Sequence, residues 1–353
     1  DYNASSDATA MGFNSITSAA ITFIDAANND FRLSPDDTVA KNTGINLTSD
    51  YYASNVDHME HDRGNSWDMG AHEAANRIYR SVGPGNTASL ESGTGNNLTI
   101  SSSVATFASA VADNIGVGDA IQYDSDNNGS IDSIMFIHGR NSSTQFIVAD
   151  AEGDPISDMA VADQDWDIFR SYSGFNLWNG SENAGIDAAV STFDNGTDFV
   201  NLKLRNKQLN VSIYADGSMD TLLVNLAWVT SDSNYAKIYA PKEASEVGVS
   251  QRHSGVWDDT KSRVIANAAP ANVASLTYDN FNHYLIEGLQ FSFENGSGNG
   301  LYITNNNPGE TPGWVTIRDN IIRKIPSANA DAISARHINH KLTITNNIMY
   351  GYS

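Results

Sequence analysis

Apolar and polar residues alternate with a period of two through much of this chain, and near its end the alternation recurs as a block. Trp314-Val-Thr-Ile-Arg-Asp-Asn320-Ile-Ile is echoed by Lys341-Leu-Thr-Ile-Thr-Asn-Asn347-Ile-Met, an offset of 27 residues. Alternation of this kind marks strands with one face inward. A block that closes each time on asparagine suits rungs that stack like residue on like residue. The pattern predicts coils of a parallel β-helix, with Val315, Ile317, Leu342 and Ile344 stacked along the rungs and Asn320 and Asn347 forming an internal amide ladder at a bend. The repeat is still running at Ser353, so these six residues are the candidate assembly set: the last coil needs another coil beneath it.

Upstream, the character changes by region. Residues 76–178 carry short alternating runs, among them Asn97-Leu-Thr-Ile100, Asp119-Ala-Ile-Gln-Tyr123, Ser133-Ile-Met-Phe-Ile-His138 and Trp166-Asp-Ile-Phe-Arg-Ser171, separated by turn-rich links. They predict a compact antiparallel barrel or sandwich inserted into the helix. One amphipathic helix is expected over Ile186-Asp-Ala-Ala-Val-Ser-Thr-Phe193, opened by Ser181 or Asn183 and placed to cap a solenoid. From Leu209 the strands resume and run to the repeat.

The first 75 residues hold Asp30-Phe-Arg-Leu33, then His61-Asp-Arg-Gly64, then Trp67-Asp-Met-Gly-Ala-His-Glu73. This order resembles the closing rungs of secreted right-handed parallel β-helix proteins of the pectate-lyase-like kind, with the middle element degraded. Ser245-Glu-Val-Gly-Val-Ser-Gln-Arg-His-Ser-Gly-Val-Trp257 and Ile286-Glu-Gly-Leu-Gln290 are similar to the first turns of the same class. The resemblance covers about half the chain and implies three parts: closing rungs over 1–75, the antiparallel insert over 76–178, and a cap helix with opening rungs over 179–353. It also implies an extracellular or cell-surface setting. The absence of a leading methionine at Asp1 fits a mature or excised segment, and no stretch has the length of a membrane span.

Charge narrows the partners. Acidic residues outnumber basic ones 42 to 20, a formal net charge of −22, which repels phosphate backbones and anionic lipid. Nucleic acid is therefore not an expected partner, nor is membrane insertion. With no cysteine there are no disulfides, iron–sulfur clusters or thiol chemistry.

The sharpest local motif is Asp124-Ser-Asp126-Asn-Asn128-Gly129-Ser130-Ile-Asp132. Oxygen ligands at alternate positions around a glycine turn suit calcium, which makes Asp124, Asp126, Asn128, Ser130 and Asp132 candidate ligands. The twelfth loop position is Met135 instead of a bidentate glutamate, and Asn-Gly is also the commonest hairpin turn, so a polar hairpin is the alternative. Two weaker groups are Trp257-Asp258-Asp259-Thr-Lys261-Ser-Arg263, where carboxylates and bases could work on a polysaccharide, and Asp57-His58 with Glu60-His61-Asp62, whose spacing could ligate a metal. Both also read as solvated loops. No nucleophile elbow, phosphate loop or dinucleotide fingerprint is present.

The expectation is thus a non-enzymatic extracellular structural protein, an all-β module built on a right-handed parallel β-helix that stacks head to tail on copies of itself or along one longer chain. The alternative is a polysaccharide lyase, a glycosidase-like enzyme or a carbohydrate-binding adhesin on the same fold.

Overall fold

The computed structural model describes most of residues 74–351 and, of the first 73, chiefly 15–45 and 67–70. The segments 46–66, 71–73, 175–181, 195–200, 267–273, 279–282, 295–300, 306–312, 325–330 and 337–340 lie outside the description, with a few shorter stretches. The protein is all-β. The described residues form twenty-four strands and one three-residue 3₁₀ turn, Ala26–Asn28. The helix expected over 186–193 is not formed. Its residues run through successive turns, because Asn183 Oδ1 accepts the Gly185 N–H and Asp187 Oδ1 accepts the Ala189 N–H. Side chains that take over the backbone donors favour turns over helix. Ile186 and Val190 still reach a core, beside Ala120, Phe136 and Phe169.

From Lys207 onward the chain visits three sheets in fixed rotation. One coil is Lys207–Ile213, Ser218–Met219 and Leu222–Leu226; the second is Ala236–Tyr239, Arg263–Ala266 and Ala274–Tyr278. The third is His283–Glu287, Gln290–Phe293 and Leu301–Asn305, the fourth Trp314–Arg318, Ile321–Lys324 and Ile333–Arg336, and the fifth Lys341–Thr345 with Ile348–Tyr350. Every pairing between successive coils is parallel and in register. Rows of inward residues follow: Val211, Ile238, Ile286, Ile317 and Ile344 on one sheet, and Val264, Phe291, Ile322 and Met349 on the next. Down to the fourth coil these are 0% exposed. Each such burial contributes roughly 1.5–3 kcal/mol, so the stacked rows are the main source of stability in this half.

The corners explain the asparagines. In the last three coils the chain passes from the first sheet to the second through two residues: Gly288-Leu289, Asp319-Asn320 and Asn346-Asn347. The first of each pair has positive φ, 73°, 58° and 54°, which only Gly, Asp and Asn adopt at low cost. At Gly288 the demand is also steric, since an added Cβ would fall 2.1 Å from Arg252 Nε. The second residue carries the ladder. Asn320 Oδ1 accepts the Leu289 N–H at 2.9 Å, its amide nitrogen donates to Ile286 C=O, and Asn347 Oδ1 accepts both the Asn320 N–H and its Nδ2, each at 3.0 Å. Asn347 Nδ2 donates to Ile317 C=O at 2.8 Å. Asn320 is fully buried, so Asn320→Ala strands a buried donor and acceptor and is expected to cost about 2–4 kcal/mol in urea unfolding, against about 1 kcal/mol or less for Asn347→Ala on the exposed coil.

Outside the coils, a long corner from Ala240 to Ser262 folds back over the structure, and its Arg252 joins Arg318 in holding Glu287 at 2.5 and 2.9 Å. Burial opposes the Glu287 charge, but the two guanidinium groups outweigh it and draw the carboxyl down to about 2. A depressed folded-state value stabilises the fold above the ordinary glutamate range. The contribution, on the order of 3 kcal/mol, is therefore lost as pH falls from about 4.5 through 2. Glu287→Gln is expected to flatten the acid limb of a stability-against-pH curve in that window.

Residues 91–169 make a second, antiparallel sheet in the order Glu91–Ser92, Trp166–Phe169, Ala120–Tyr123, Ser133–Arg140, Gln145–Ala149, Val104–Phe107, Leu98–Ser101. Its far edge returns to the start, for Leu98 and Asp163 exchange both backbone hydrogen bonds and the Met159 N–H donates to Ile100 C=O. Trp166, Phe107 and Phe146 fill the interior. The first strand of the expected insert, Asn76–Val82, does not belong to this sheet. It pairs in parallel along Lys207–Ile213 and forms the terminal rung of the six-stranded coil sheet.

The described strands of the first 75 residues form a hairpin, Phe23–Asp25 against Asp30–Leu33, antiparallel where closing rungs would be parallel, beside an isolated parallel bridge between Ala4 and Ile16. The link of residues 26–29 is far too short for the crossover that parallel strands need. Asp37 and Asp68 organise its surroundings. Asp37 accepts the N–H groups of Thr22, Val39 and Ala40, and Asp68 those of Asn42 and Ala74.

Candidate functional site

The two ends of the coil stack differ. At one end the antiparallel sheet is clamped onto the terminal rung. Gly118 comes so close that a Cβ there would lie 2.5 Å from the Arg80 carbonyl carbon, and its C=O accepts the Ser81 N–H. Alternation places Arg80 on the same face as the buried Ile78 and Val82, directly in line with Val211. Its guanidinium is sealed from solvent, binds Asp194 through two hydrogen bonds at 2.8 and 2.6 Å, donates to Ala151 C=O and lies 3.8 Å from the Phe136 ring centre. Arg170, equally buried, joins Asp119 of the antiparallel sheet to Asp216 of the coil, each at 2.8 Å, and stacks 3.6 Å from the Tyr214 ring centre. Burial works against the Arg170 charge, and Asp119 and Asp216 outweigh it, raising its pKa. Sequence reasoning missed both arginines. The signal lay in the run Ile78-Tyr-Arg80-Ser-Val82, where the period of two puts a charge on an inward face.

At the other end nothing described covers the fifth coil. Val315, Ile317 and Ile322 of the fourth coil are 0–1% exposed, whereas Ile344, Ile348, Met349 and Tyr350 of the fifth are 41–43% exposed. Of the six assembly candidates, Val315, Ile317 and Asn320 are thus interior residues already covered, and Leu342, Ile344 and Asn347 sit on the uncovered coil. The edge is also lightly defended. Lys341-Leu-Thr-Ile-Thr345 and Ile348-Met-Tyr350 contain no proline, no carboxylate and one lysine. In a chain of net charge −22 this surface is set apart by carrying no carboxylate.

The acidic loop forms the hairpin between Ala120–Tyr123 and Ser133–Arg140. Asp124 lies at its base, fully buried, with Oδ2 accepting the N–H groups of Gly129 and Ser130 and Oδ1 that of Asp126. Burial disfavours its charge, and the amides of Gly129, Asp126 and Asn127 outweigh that and hold the carboxyl below the usual range. Asn127 and Gly129 take the positive φ that the turn requires. Asp132 spends both oxygens on Ser125, on its N–H and its Oγ. Asp124, Asp126 and Asp132 can still bring one oxygen each within 4.8 Å of one another; Asn128 and Ser130 are exposed loop positions. A second triad shares Asp124: with Asp163 and Asp165, one oxygen each again lies within 4.8 Å. The sequence analysis named neither of these, because they come from 30 residues or more further along the chain.

The other candidates have structural employment. Asp258 Oδ1 accepts the N–H and Oγ–H of Thr260, Asp259 accepts Trp257 Nε1–H, and Lys261 donates to Ser250 C=O. The Trp257 face is occupied by Arg323 at 3.4 Å from the ring centre. The group Asp57, His58, Glu60, His61 and Asp62 lies outside the described residues. Among those residues no helix is long and apolar enough to cross a membrane.

Fold and site together define an all-β protein with a stack of parallel-stranded coils, closed at one end by a docked antiparallel sheet and uncovered at the other. Comparisons with family models, with curated proteins and with solved structures return no match for the chain.

Proposed function

We propose that the chain is an extracellular structural module, a right-handed parallel β-helix whose uncovered coil seats a further coil, from a second copy or from the same chain. The handedness rests on the strong preference of parallel strand crossovers for the right-handed sense. The observation that carries the assembly reading is the abrupt exposure of the inward rows at Ile344, Ile348 and Met349, on an edge with one lysine, no carboxylate and no proline.

A matching coil would also continue the asparagine ladder. Leu289 N–H and Asn320 N–H each bond to the side-chain oxygen of the next asparagine, and the same position in a further coil would accept the Asn347 N–H. Since the opposite end is closed by the antiparallel sheet, contact between copies runs either coil to coil at this face or from this face to another surface, and the second arrangement propagates as a filament. The cell-surface location rests on the resemblance of the 245–257 motif to secreted proteins. The high negative charge predicts that salt strengthens association, by screening repulsion between copies.

Sedimentation velocity over a wide concentration series tests this reading. Mass should rise with concentration and with salt, and a monomer throughout would oppose it.

A further inference from the structure

We propose that Asp124, Asp163 and Asp165 together hold a divalent cation of the calcium type at the seam where the antiparallel sheet closes. The inference is independent of the stacking proposal. It replaces the linear loop as the ligand set and keeps only Asp124 and Ca²⁺ from it.

The decisive group is Asp163. The residue is 7% exposed, and its Oδ2 is sealed from solvent without a hydrogen-bond partner. The other oxygen is occupied, accepting the N–H groups of Gln164 and Asp165. A carboxylate oxygen buried without a donor costs free energy unless a cation or proton meets it. Two more carboxylates stand beside it, with one oxygen from each of the three within 4.8 Å of the others. Asp124 is already fixed by three amide donors, two on Oδ2 and one on Oδ1, which leaves Oδ1 a second lone pair to offer. Like charges so close repel, and a bound cation converts that repulsion into attraction.

The donors are all oxygen, with no imidazole or thiolate in the group, which selects a hard ion over zinc or copper. Calcium, which tolerates irregular cages and takes water for the remaining positions, fits better than magnesium with its strict octahedron. The competing triad of Asp124, Asp126 and Asp132 is poorer, because Asp126 and Asp132 are exposed and Asp132 has its oxygens engaged by Ser125. Position gives the ion a role. Asp163 is the residue that exchanges both backbone bonds with Leu98 to join the ends of the sheet, and Asp165 C=O accepts the Asp124 N–H. A cation there ties the 124–132 hairpin to the closing seam.

The test uses the full chain stripped with a chelator and titrated with calcium chloride by calorimetry, with thermal unfolding followed alongside. Binding of one ion, a higher melting temperature in calcium, and an affinity reduced about tenfold or more by Asp163→Asn but changed less than about threefold by Asp132→Asn would support the site. Should Asp163→Asn fail to fold, Asp165→Asn, at an exposed position, is expected to weaken binding in the same way. Affinity lost in Asp132→Asn and kept in the Asp163 or Asp165 variant would overturn the assignment, as would no calcium binding up to about 10 mM, weaker than extracellular calcium modules require.

Discussion

Replacing Arg170 by methionine is expected to destabilise the protein by about 3–5 kcal/mol, the largest effect of any single substitution on the described fold. Methionine has a similar length and no charge, so the change leaves Asp119, fully buried, and Asp216, nearly so, facing each other without the cation that joins them. It also removes the cation from the Tyr214 ring and from Asn114 C=O. The loss should not be spread evenly. Arg170 links the antiparallel sheet to the first coil, so urea unfolding followed by the buried Trp166 should separate from unfolding followed by far-ultraviolet signal, where the intact protein gives one transition. A triple replacement that removes the charges at 119, 170 and 216 together and fills their volume with apolar groups should recover much of the stability, since a buried ion network costs most when it is broken in part. A single sharp transition with less than about 1 kcal/mol lost would show that the junction is held by apolar packing alone.

The second large effect concerns assembly. Ile344→Lys combined with Ile348→Glu is expected to weaken self-association by about a hundredfold or more, because each new charge would have to be buried against the next coil. Stability of the separate chain should fall by only about 1 kcal/mol, since both positions are already about 40% exposed. The pair is chosen to leave net charge unchanged, so a loss of association cannot be ascribed to general repulsion. Equal association of variant and parent chains would assign the contact to some other surface.

How much of this was legible in the sequence depends on the range of the interaction that decides each feature. The coils were legible where their determinants repeat: Val315 over Leu342 and Ile317 over Ile344, with Asn320 and Asn347 at a bend whose preceding residues, Asp319 and Asn346, tolerate positive φ. The strand runs of the antiparallel sheet were legible for the same reason, a period of two. The helix over 186–193 was misread because Asn183, read as a possible cap, and Asp187 instead bond the Gly185 and Ala189 amides in local turns. The hairpin at 23–33 was misread because a resemblance of short motifs carries no information on strand direction, whereas the four-residue link does.

Long-range charge pairing was the least visible layer. Arg80 finds Asp194 and Arg170 finds Asp119 and Asp216 across tens of residues, and no local pattern connects them. The acidic loop was recognised as a ligand-rich turn from its own spacing. The second carboxylate pair at Asp163 and Asp165 arrives only when the sheet closes.

The central claim is that the face of the fifth coil is a seat for another coil, and hydrogen exchange of its amides addresses that most directly. Peptides covering 341–350 are compared with those covering 314–324 in the same chain, at low concentration and at the highest attainable. The account predicts that 341–350 exchanges fast when dilute and gains protection approaching that of 314–324 as the chains associate, with the Asn347 amide among those slowed. Unchanged, rapid exchange of 341–350 at every concentration, beside a protected 314–324, would contradict it.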